Sequence, residues 1–251
     1  MNLQLLTLSE SWQDFVDSFT RCFIHQDRWE LILRGLGNTL LIALVATLIG
    51  VAIGALVAIA RVFSASSLEN PLANKFSKTL ARIVNAITGI YITVIRGTPM
   101  LVQLLIMYYV VFASADSGVP VAMLSFGINS GAYVAETIRG GINSVDRGQM
   151  EAGRSLGLSR VQTMRSIILP QAIKNILPAL GNEFITLLKE TSIVGYIAIN
   201  DLTRAGDRIR SATFEMFLPL IVVALIYLVL VLGLSRLLKV FERRLAKSDS
   251  R

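Results

Sequence analysis

The sequence predicts an all-α membrane protein with about five transmembrane helices. Of its 251 residues, 53% are hydrophobic, and the mean hydropathy is +0.62, which is more apolar than an ordinary soluble domain. The charged residues are bunched at the ends of long apolar stretches. An apolar stretch of about 20 residues is long enough for a helix to cross the bilayer.

Five such stretches follow one another along the chain. The first carries no charged residue between Arg34 and Arg61. Residues 79–95 are also apolar but short, so they form either an interfacial helix or the first part of the second span. The remaining spans are expected at residues 97–115, 118–135, 175–199 and 216–235.

Lys and Arg residues are unevenly divided between the two sets of connections. Sixteen lie in residues 61–82, residues 139–174 and the tail from Arg236, against six in residues 1–34 and 204–210. Because cytoplasmic connections carry the excess of positive charge, we expect the N-terminus outside and the C-terminus in the cytoplasm. The net charge of +7 then reflects topology, and no nucleic-acid partner is expected.

Residues 1–34 are predicted to form an extracytoplasmic segment. They do not open with the basic cluster of a signal peptide. Apolar residues recur at three- and four-residue steps from Leu8 to Phe23, which suggests an amphipathic helix. This helix either lies on the outer membrane face or packs against the first span.

Small residues occupy every fourth position of the first span: Ala46, Gly50, Gly54 and Ala58. On a helix they form a smooth stripe that another helix can approach closely. The approaching helix belongs either to the same chain or to a neighbouring subunit.

The connection of about residues 144–170 is polar and basic and has helical signals of its own. Gly157 can take a positive φ and end a first short helix. Ser159 and Gln162 have the spacing of a capping box, which opens a second helix. A rigid helical hairpin beside a membrane helix suits a lever better than a flexible linker does.

Nothing in the sequence points to catalysis. There is no G-x-x-x-x-G-K-[ST] phosphate-binding loop, so the chain offers no such site for ATP. One cysteine, Cys22, and one histidine, His25, are too few for a metal cluster or an internal disulfide framework. We expect no catalytic residue, no metal site and no cofactor.

The hairpin carries the pattern E-A-x(4)-G-x(9)-I-x-L-P between Glu151 and Pro170. This pattern resembles the cytoplasmic coupling loop of permease subunits of bacterial ABC importers. Further stretches narrow the resemblance, which covers residues 35–240, to the polar amino-acid permeases of the histidine/glutamine/arginine type. They are IRGTP at 95–99, SGAYVAE at 130–136, LPQA at 169–172, GNE at 181–183 and LKETS at 188–192.

The resemblance implies the type I ABC-importer permease fold in a multi-pass protein of the bacterial cell membrane. Residues 35–240 would form the transmembrane domain, and residues 241–251 a basic cytoplasmic tail. The implied partners are two ABC ATPase subunits, a second permease subunit (identical or related), an extracytoplasmic solute-binding protein and an amino-acid substrate.

In the family this loop resembles, the short helix docks in a groove of the ATPase. The family usually has Ala after Glu-Ala, whereas this chain has Gly153. We expect that change to loosen the helix by about 1 kcal/mol without blocking docking. The coupling residues carried over from the resemblance are Glu151, Ala152, Gly157, Leu158 and Ser159.

Charge at membrane depth is costly and is kept mainly where it faces a polar cavity or a partner. Arg96 could hold an amino-acid carboxylate in bidentate fashion, and Glu183 could take the ammonium group or a cationic side chain. Alternatively, Arg96 forms a structural ion pair with a glutamate of the bundle. The candidate substrate residues are Arg96, Thr98, Gln103, Asn182, Glu183 and Lys189.

Glu136 and Arg139 stand at i and i+3, a spacing that predicts a local salt bridge. We interpret this pair as structural or as part of a gate.

Three other functions remain open from the sequence. The permease of another ABC importer class, such as methionine, metal or peptide uptake, shares the loop but, by the resemblance, not the IRGTP and SGAYVAE stretches. An ion-coupled secondary transporter usually shows an internal repeat with matching broken helices. A membrane scaffold would leave the charges at membrane depth unexplained.

Overall fold

The computed structural model describes residues 12–69 and 73–247, and every regular element in this part of the chain is helical. The all-α class is therefore confirmed. The helices are α1 (residues 12–19), α2 (Trp29–Glu69), α3 (Lys75–Gly97), α4 (Met100–Ile106), α5 (Gly118–Asn143), α6 (Arg147–Ser155), α7 (Arg160–Thr163), α8 (Leu169–Glu190), α9 (Leu202–Thr213) and α10 (Leu218–Lys247). Single π-helical turns follow α1, α4 and α7 at Thr20–Ile24, Met107–Val111 and Met164–Ile168, and a 3₁₀ turn, Thr191–Ile197, follows α8.

Four of the described helices, α2, α3, α5 and α10, are long and apolar enough to cross a membrane. The second span is not where the apolar run alone placed it, at residues 97–115. The long helix of this region is α3, which contains residues 79–95, whereas Met100–Val111 forms a shorter apolar helix. The two are separate because Pro99 has no amide hydrogen and holds Thr98 in an extended conformation.

The fourth predicted span is occupied by α8 and the 3₁₀ turn behind it. α8 packs against α5, α2 and α10. It contains Pro178 in its interior, and Asn182, Glu183 and Lys189 interrupt its apolar sequence. A helix of this kind is stable in a membrane where neighbours or a polar cavity satisfy its side chains.

Helix α5 lies at the centre of the bundle and contacts α2, α3, α4 and α8. Its contact with α2 is close because two glycines of α2 leave room for it. A Cβ atom on Gly50 would lie 2.7 Å from the Ser130 hydroxyl, and one on Gly54 would lie 2.5 Å from a methyl group of Val134. These two members of the small-residue stripe thus serve packing within the chain.

The connection before α9 is anchored to the start of α2. The amide of Leu202 donates to the Thr39 hydroxyl (3.1 Å), and the Asn38 amide donates to the carbonyl of Asn200 (2.8 Å). The buried Asp201 carboxylate caps α9 by accepting from the amides of residues 203 and 204, both at 3.0 Å. Burial raises the pKa of the Asp201 carboxyl, and the hydrogen bonds from these amides oppose that rise.

The N-terminal residues of the described part pack onto this same region. Cys22 and Phe23 are buried in one apolar cluster with Ile32 of α2 and Leu202 of α9. Glu215 accepts a hydrogen bond from a serine of α1 and pairs with an arginine of the following turn, each at 3.0 Å. The aromatic side chains of α1, Trp12, Phe15 and Phe19, remain exposed.

Candidate functional site

Glu136 of α5 is surrounded by arginines from three helices. Its carboxylate lies 3.2 Å from Arg61 of α2 and 2.7 Å from Arg139 of α5, while Arg96 of α3 is 3.9 Å away. The Arg96 guanidinium also lies over the ring of Tyr133, 5.2 Å from its centroid. The predicted pair between Glu136 and Arg139 is confirmed, and Arg96 is held more loosely than the other two arginines.

This cluster has more positive than negative charge. Arginine stays protonated in proteins, so the three guanidinium groups and one carboxylate carry an excess of two positive charges. The Arg96 side chain is 43% exposed, against 19% for the Glu136 side chain. The arrangement therefore leaves Arg96 able to bind a further anionic group, such as a carboxylate.

Thr98, which is exposed, and Gln103 hydrogen-bond to other groups of the protein at the break between α3 and α4. The Thr98 hydroxyl donates to the carbonyl of Val94 at 2.8 Å. The Gln103 amide nitrogen lies 2.8 Å from the carbonyl oxygen of Ile95 and 2.7 Å from the Thr98 hydroxyl. Both predicted ligands are thus engaged in closing the end of α3.

Glu183 of α8 faces α5. Its carboxylate accepts a hydrogen bond of 3.1 Å from the hydroxyl of the buried Ser130. Six residues of α5, or about 9 Å along the helix axis, separate Ser130 from Glu136. The two opposite charges that the sequence singled out, Glu183 and Arg96, are therefore held by the same stretch of one helix.

Asn182 and Lys189 lie on an exposed polar face of α8. At about 100° per residue, positions 171, 175, 182, 186 and 189 fall within about 60° of one another. The exposed side chains at these positions are Gln171, Asn175, Asn182, Thr186 and Lys189. Asn175 bonds the Ser144 hydroxyl at the end of α5 (2.9 Å), whereas Asn182 and Lys189 point about 100–120° around α8 from Glu183. The six predicted substrate residues therefore do not share one face in the single chain.

The hairpin of residues 146–163 is built by local signals. Asp146 caps α6 by accepting from the amide of Gly148 (2.6 Å). Gly157 ends α6 with a φ of +83°, and the amide of Leu158 donates to the carbonyl of Gly153 at 3.1 Å, as in a Schellman motif.

The second half of the hairpin opens as the spacing predicts. Ser159 and Gln162 form the capping box, in which each side chain bonds the backbone of the other. The positive φ at Gly157 and this cap are both confirmed.

The outer surface of the hairpin exposes Glu151, Ala152 and Ser159. Leu156 is 81% exposed, although it is a large apolar side chain on a polar hairpin. Sequence reasoning did not select Leu156, and an apolar residue at the end of a short polar helix was the available signal. Val161 of α7, 62% exposed, is a second exposed apolar side chain of the hairpin.

Gly153 faces inward. A Cβ atom there would lie 2.5 Å from the methyl group of Thr163 and 2.8 Å from its hydroxyl. The expectation that Gly153 merely loosens the helix is therefore incomplete: the missing methyl group lets α6 and α7 pack closely.

Three kinds of similarity to known proteins agree with this geometry. Residues 76–247 match the family described as "Binding-protein-dependent transport system inner membrane component". The arginine transport system permease protein of Bacillus subtilis is 37% identical, over 87% of this chain and 94% of that protein. The glutamine transport system permease protein of Escherichia coli K12 is 36% identical, over 86% and 93%.

Solved structures show the same fold. A crystal structure of an amino acid ABC transporter with histidines has a TM-score of 0.77 and 43% sequence identity, over 88% of this chain and 98% of that one. An inward-facing methionine ABC transporter has a TM-score of 0.71 over the same shares. At 21% identity, that second likeness concerns the fold alone.

Proposed function

The chain belongs to the family of binding-protein-dependent transport system inner membrane components, and on this basis we propose that it carries a polar amino acid between Arg96 and Glu183. As a member, it is a membrane-embedded permease subunit of an ABC importer, and ATP is hydrolysed by a partner ATPase. The observation that carries the proposal is the placement of two opposite charges along one stretch of α5.

An amino acid fits this placement by its charges. The Arg96 guanidinium, only loosely paired with Glu136 at 3.9 Å, binds the cargo carboxylate. Glu183, held by Ser130, attracts the ammonium group or a cationic side chain. Relatives named for arginine and glutamine transport support a polar cargo.

The hairpin of residues 146–163 is the contact with the ATPase in this proposal. Its helix ends are fixed by Asp146, Gly157 and Ser159. The hairpin is therefore rigid enough to transmit a movement of the ATPase to α8. Glu151, Ala152 and Leu158 belong to this coupling segment, and the exposed Leu156 enters the ATPase groove. The spans then shift against each other and open the pathway to alternate sides.

A second permease subunit covers the polar face of α8. A cation such as Lys189 facing lipid at membrane depth is costly, whereas the same face can line a pathway between two subunits. We therefore place two permeases, identical or related, with two ATPase subunits and an extracytoplasmic solute-binding protein that delivers the cargo.

The orientation in this proposal follows the positive charges. The Lys and Arg count places the hairpin and the C-terminus in the cytoplasm and the N-terminus outside. The hairpin then lies on the side where the ATPase is found.

The proposal is tested by uptake of radiolabelled L-arginine, L-glutamine and L-histidine into vesicles that contain the assembled complex. We expect accumulation that requires both ATP and the binding protein. Accumulation of none of the three, with ATP hydrolysis intact, would contradict a polar amino-acid cargo.

Replacing Glu183 with Gln should change the preference between cationic and neutral cargo. Loss of the carboxylate removes the attraction for a cationic side chain, so the ratio of arginine to glutamine uptake should fall about tenfold, equivalent to about 1.4 kcal/mol. Asp116→Asn, the same carboxylate-to-amide change in the exposed connection before α5, is the matched control. An unchanged ratio in Glu183→Gln would remove Glu183 from the cargo site.

A further inference from the structure

The break between α3 and α4 leaves backbone carbonyl groups at the end of α3 without helical hydrogen-bond donors. α3 ends at Gly97, Thr98 is extended with φ −122° and ψ 146°, and Pro99 has no amide hydrogen. The carbonyl groups of the last turn of α3 therefore lack their usual helical donors. In a membrane bundle, backbone oxygens without a donor are costly.

One side chain supplies the missing donor. The amide nitrogen of Gln103 lies 2.8 Å from the carbonyl oxygen of Ile95, 3.2 Å from that of Thr98 and 2.7 Å from the Thr98 hydroxyl. Only the NH₂ end of the Gln103 amide can face these oxygens, because its own oxygen cannot donate. The Gln103 amide can therefore donate to these carbonyl oxygens in only one of its two orientations.

Asn129 of α5 selects that orientation. Its side-chain nitrogen donates to the Gln103 amide oxygen at 3.0 Å, and Asn129 itself is only 4% exposed. If the Gln103 amide turned over, its NH₂ group would face the NH₂ group of Asn129, and its oxygen would face the carbonyl oxygens at the break. The bridge thus ties the end of α3 to α5 through α4.

Arg96 lies directly before the break and contacts α5 at Tyr133 and Glu136. Asn129 lies about one turn away from Tyr133 on the same helix. The position of the guanidinium relative to α5 therefore depends on how the end of α3 is held. The bridge through Gln103 is a second attachment of that end to α5.

We propose that Asn129 is a positioning residue for the cargo site: by orienting the Gln103 amide, it holds the end of α3 so that Arg96 meets the cargo carboxylate. The inference rests on the proposed function, because it takes Arg96 as the carboxylate ligand. It assigns Gln103 to the closure of the helix break and not to direct contact with the cargo.

Asn129→Asp tests this assignment. A carboxylate accepts but does not donate, so it attracts the NH₂ end of Gln103 away from Ile95. In vesicles with the assembled complex, the KM for radiolabelled L-arginine should rise about tenfold, while kcat per assembled complex changes less than about twofold. Asn143→Asp, the same change at an exposed position of α5, is the control and should keep the wild-type KM.

Rescue separates positioning from a general structural effect. Adding Gln103→Lys to Asn129→Asp supplies an ammonium group that donates both to the carboxylate and to the carbonyls at the break. The KM of this double variant should return to within about threefold of wild type. If the Asn129→Asp complex does not assemble, Asn129→Ser replaces it. The shorter serine side chain does not reach the Gln103 amide oxygen, so the same rise in KM is expected.

Two results would overturn the inference. One is a wild-type KM in the Asn129 variants. The other is a loss of assembled complex that leaves the KM of the remaining complex unchanged, because the bridge would then serve assembly only. Failure of the proposed function looks different: the wild-type complex itself would take up no amino acid, and the inference would fall with it.

Discussion

At the scale of single residues, Gly153 and Thr163 fit each other across the hairpin. Thr163 is completely buried, and its hydroxyl donates to the carbonyl of Ser159 at 3.0 Å. The space for the Thr163 methyl group exists because Gly153 has no Cβ. Sequence reasoning could see the glycine, but the residue against which it packs lies in the next helix.

Gly153→Ala should therefore destabilise the hairpin. Its Cβ would lie 2.5 Å from the Thr163 methyl group, and overpacking of this kind costs about 1–3 kcal/mol. Thermal unfolding of the detergent-purified protein should show a lower midpoint, which Thr163→Ala should partly restore. Gly140→Ala, where nothing lies within 4 Å of the new Cβ, is the control. Equal midpoints for Gly153→Ala and Gly140→Ala would contradict this packing.

At the scale of elements, the contact between α2 and α5 depends on glycine. A Cβ on Gly54 would meet a methyl group of Val134 at 2.5 Å and the backbone nitrogen of Ala135 at 2.9 Å. A backbone atom cannot rotate away, so the two helices would have to separate. Gly37, on the same helix, has nothing within 4 Å of its Cβ position.

Alanine at Gly54 and at Gly37 should have different effects on the stability of the protein. Gly54→Ala should lower the free energy of unfolding by about 1–3 kcal/mol through overpacking, and the unfolding midpoint should fall with it. Gly37→Ala should leave it unchanged or raise it, because alanine favours a helix over glycine by about 1 kcal/mol. A Gly54→Ala protein as stable as Gly37→Ala would show that the close approach of α2 and α5 is wrong.

The elements that the sequence predicts well are those set by neighbours in the chain. Gly157 and Ser159 define helix ends through contacts within a few residues. The second span begins earlier than the apolar run predicts, because Arg96 interrupts that run and a count of uncharged residues stops there. In the structure Arg96 is inside the end of α3, where Glu136 and Tyr133 accept its charge.

The contacts of the site depend on distant residues and could not be read from spacing. Asn129 and Ser130 stand side by side on α5, yet one bonds Gln103 of α4 and the other Glu183 of α8. Both are buried, and a buried polar residue on a membrane helix is a signal that a partner exists. The partner becomes identifiable only when the helices are packed.

At the scale of the whole molecule, the proposed function uses two separate regions. The opposite charges of Arg96 and Glu183 along α5 are the proposed cargo site, and the hairpin with its exposed Leu156 is the proposed contact with the ATPase. The π-helical turn Met164–Ile168 joins the hairpin to α8, which carries Glu183. In the proposed function, movement of the hairpin therefore reaches the cargo site through this turn and α8.

The proposed contact between the hairpin and the ATPase is tested most directly by photocrosslinking in the assembled complex. Leu156→p-benzoylphenylalanine places the probe at the exposed tip, and Asp116→p-benzoylphenylalanine, in the exposed connection before α5, is the control. We predict a crosslink from position 156 to the ATPase subunit and none from position 116. No crosslink from position 156, or an equal yield from both positions, would contradict the account.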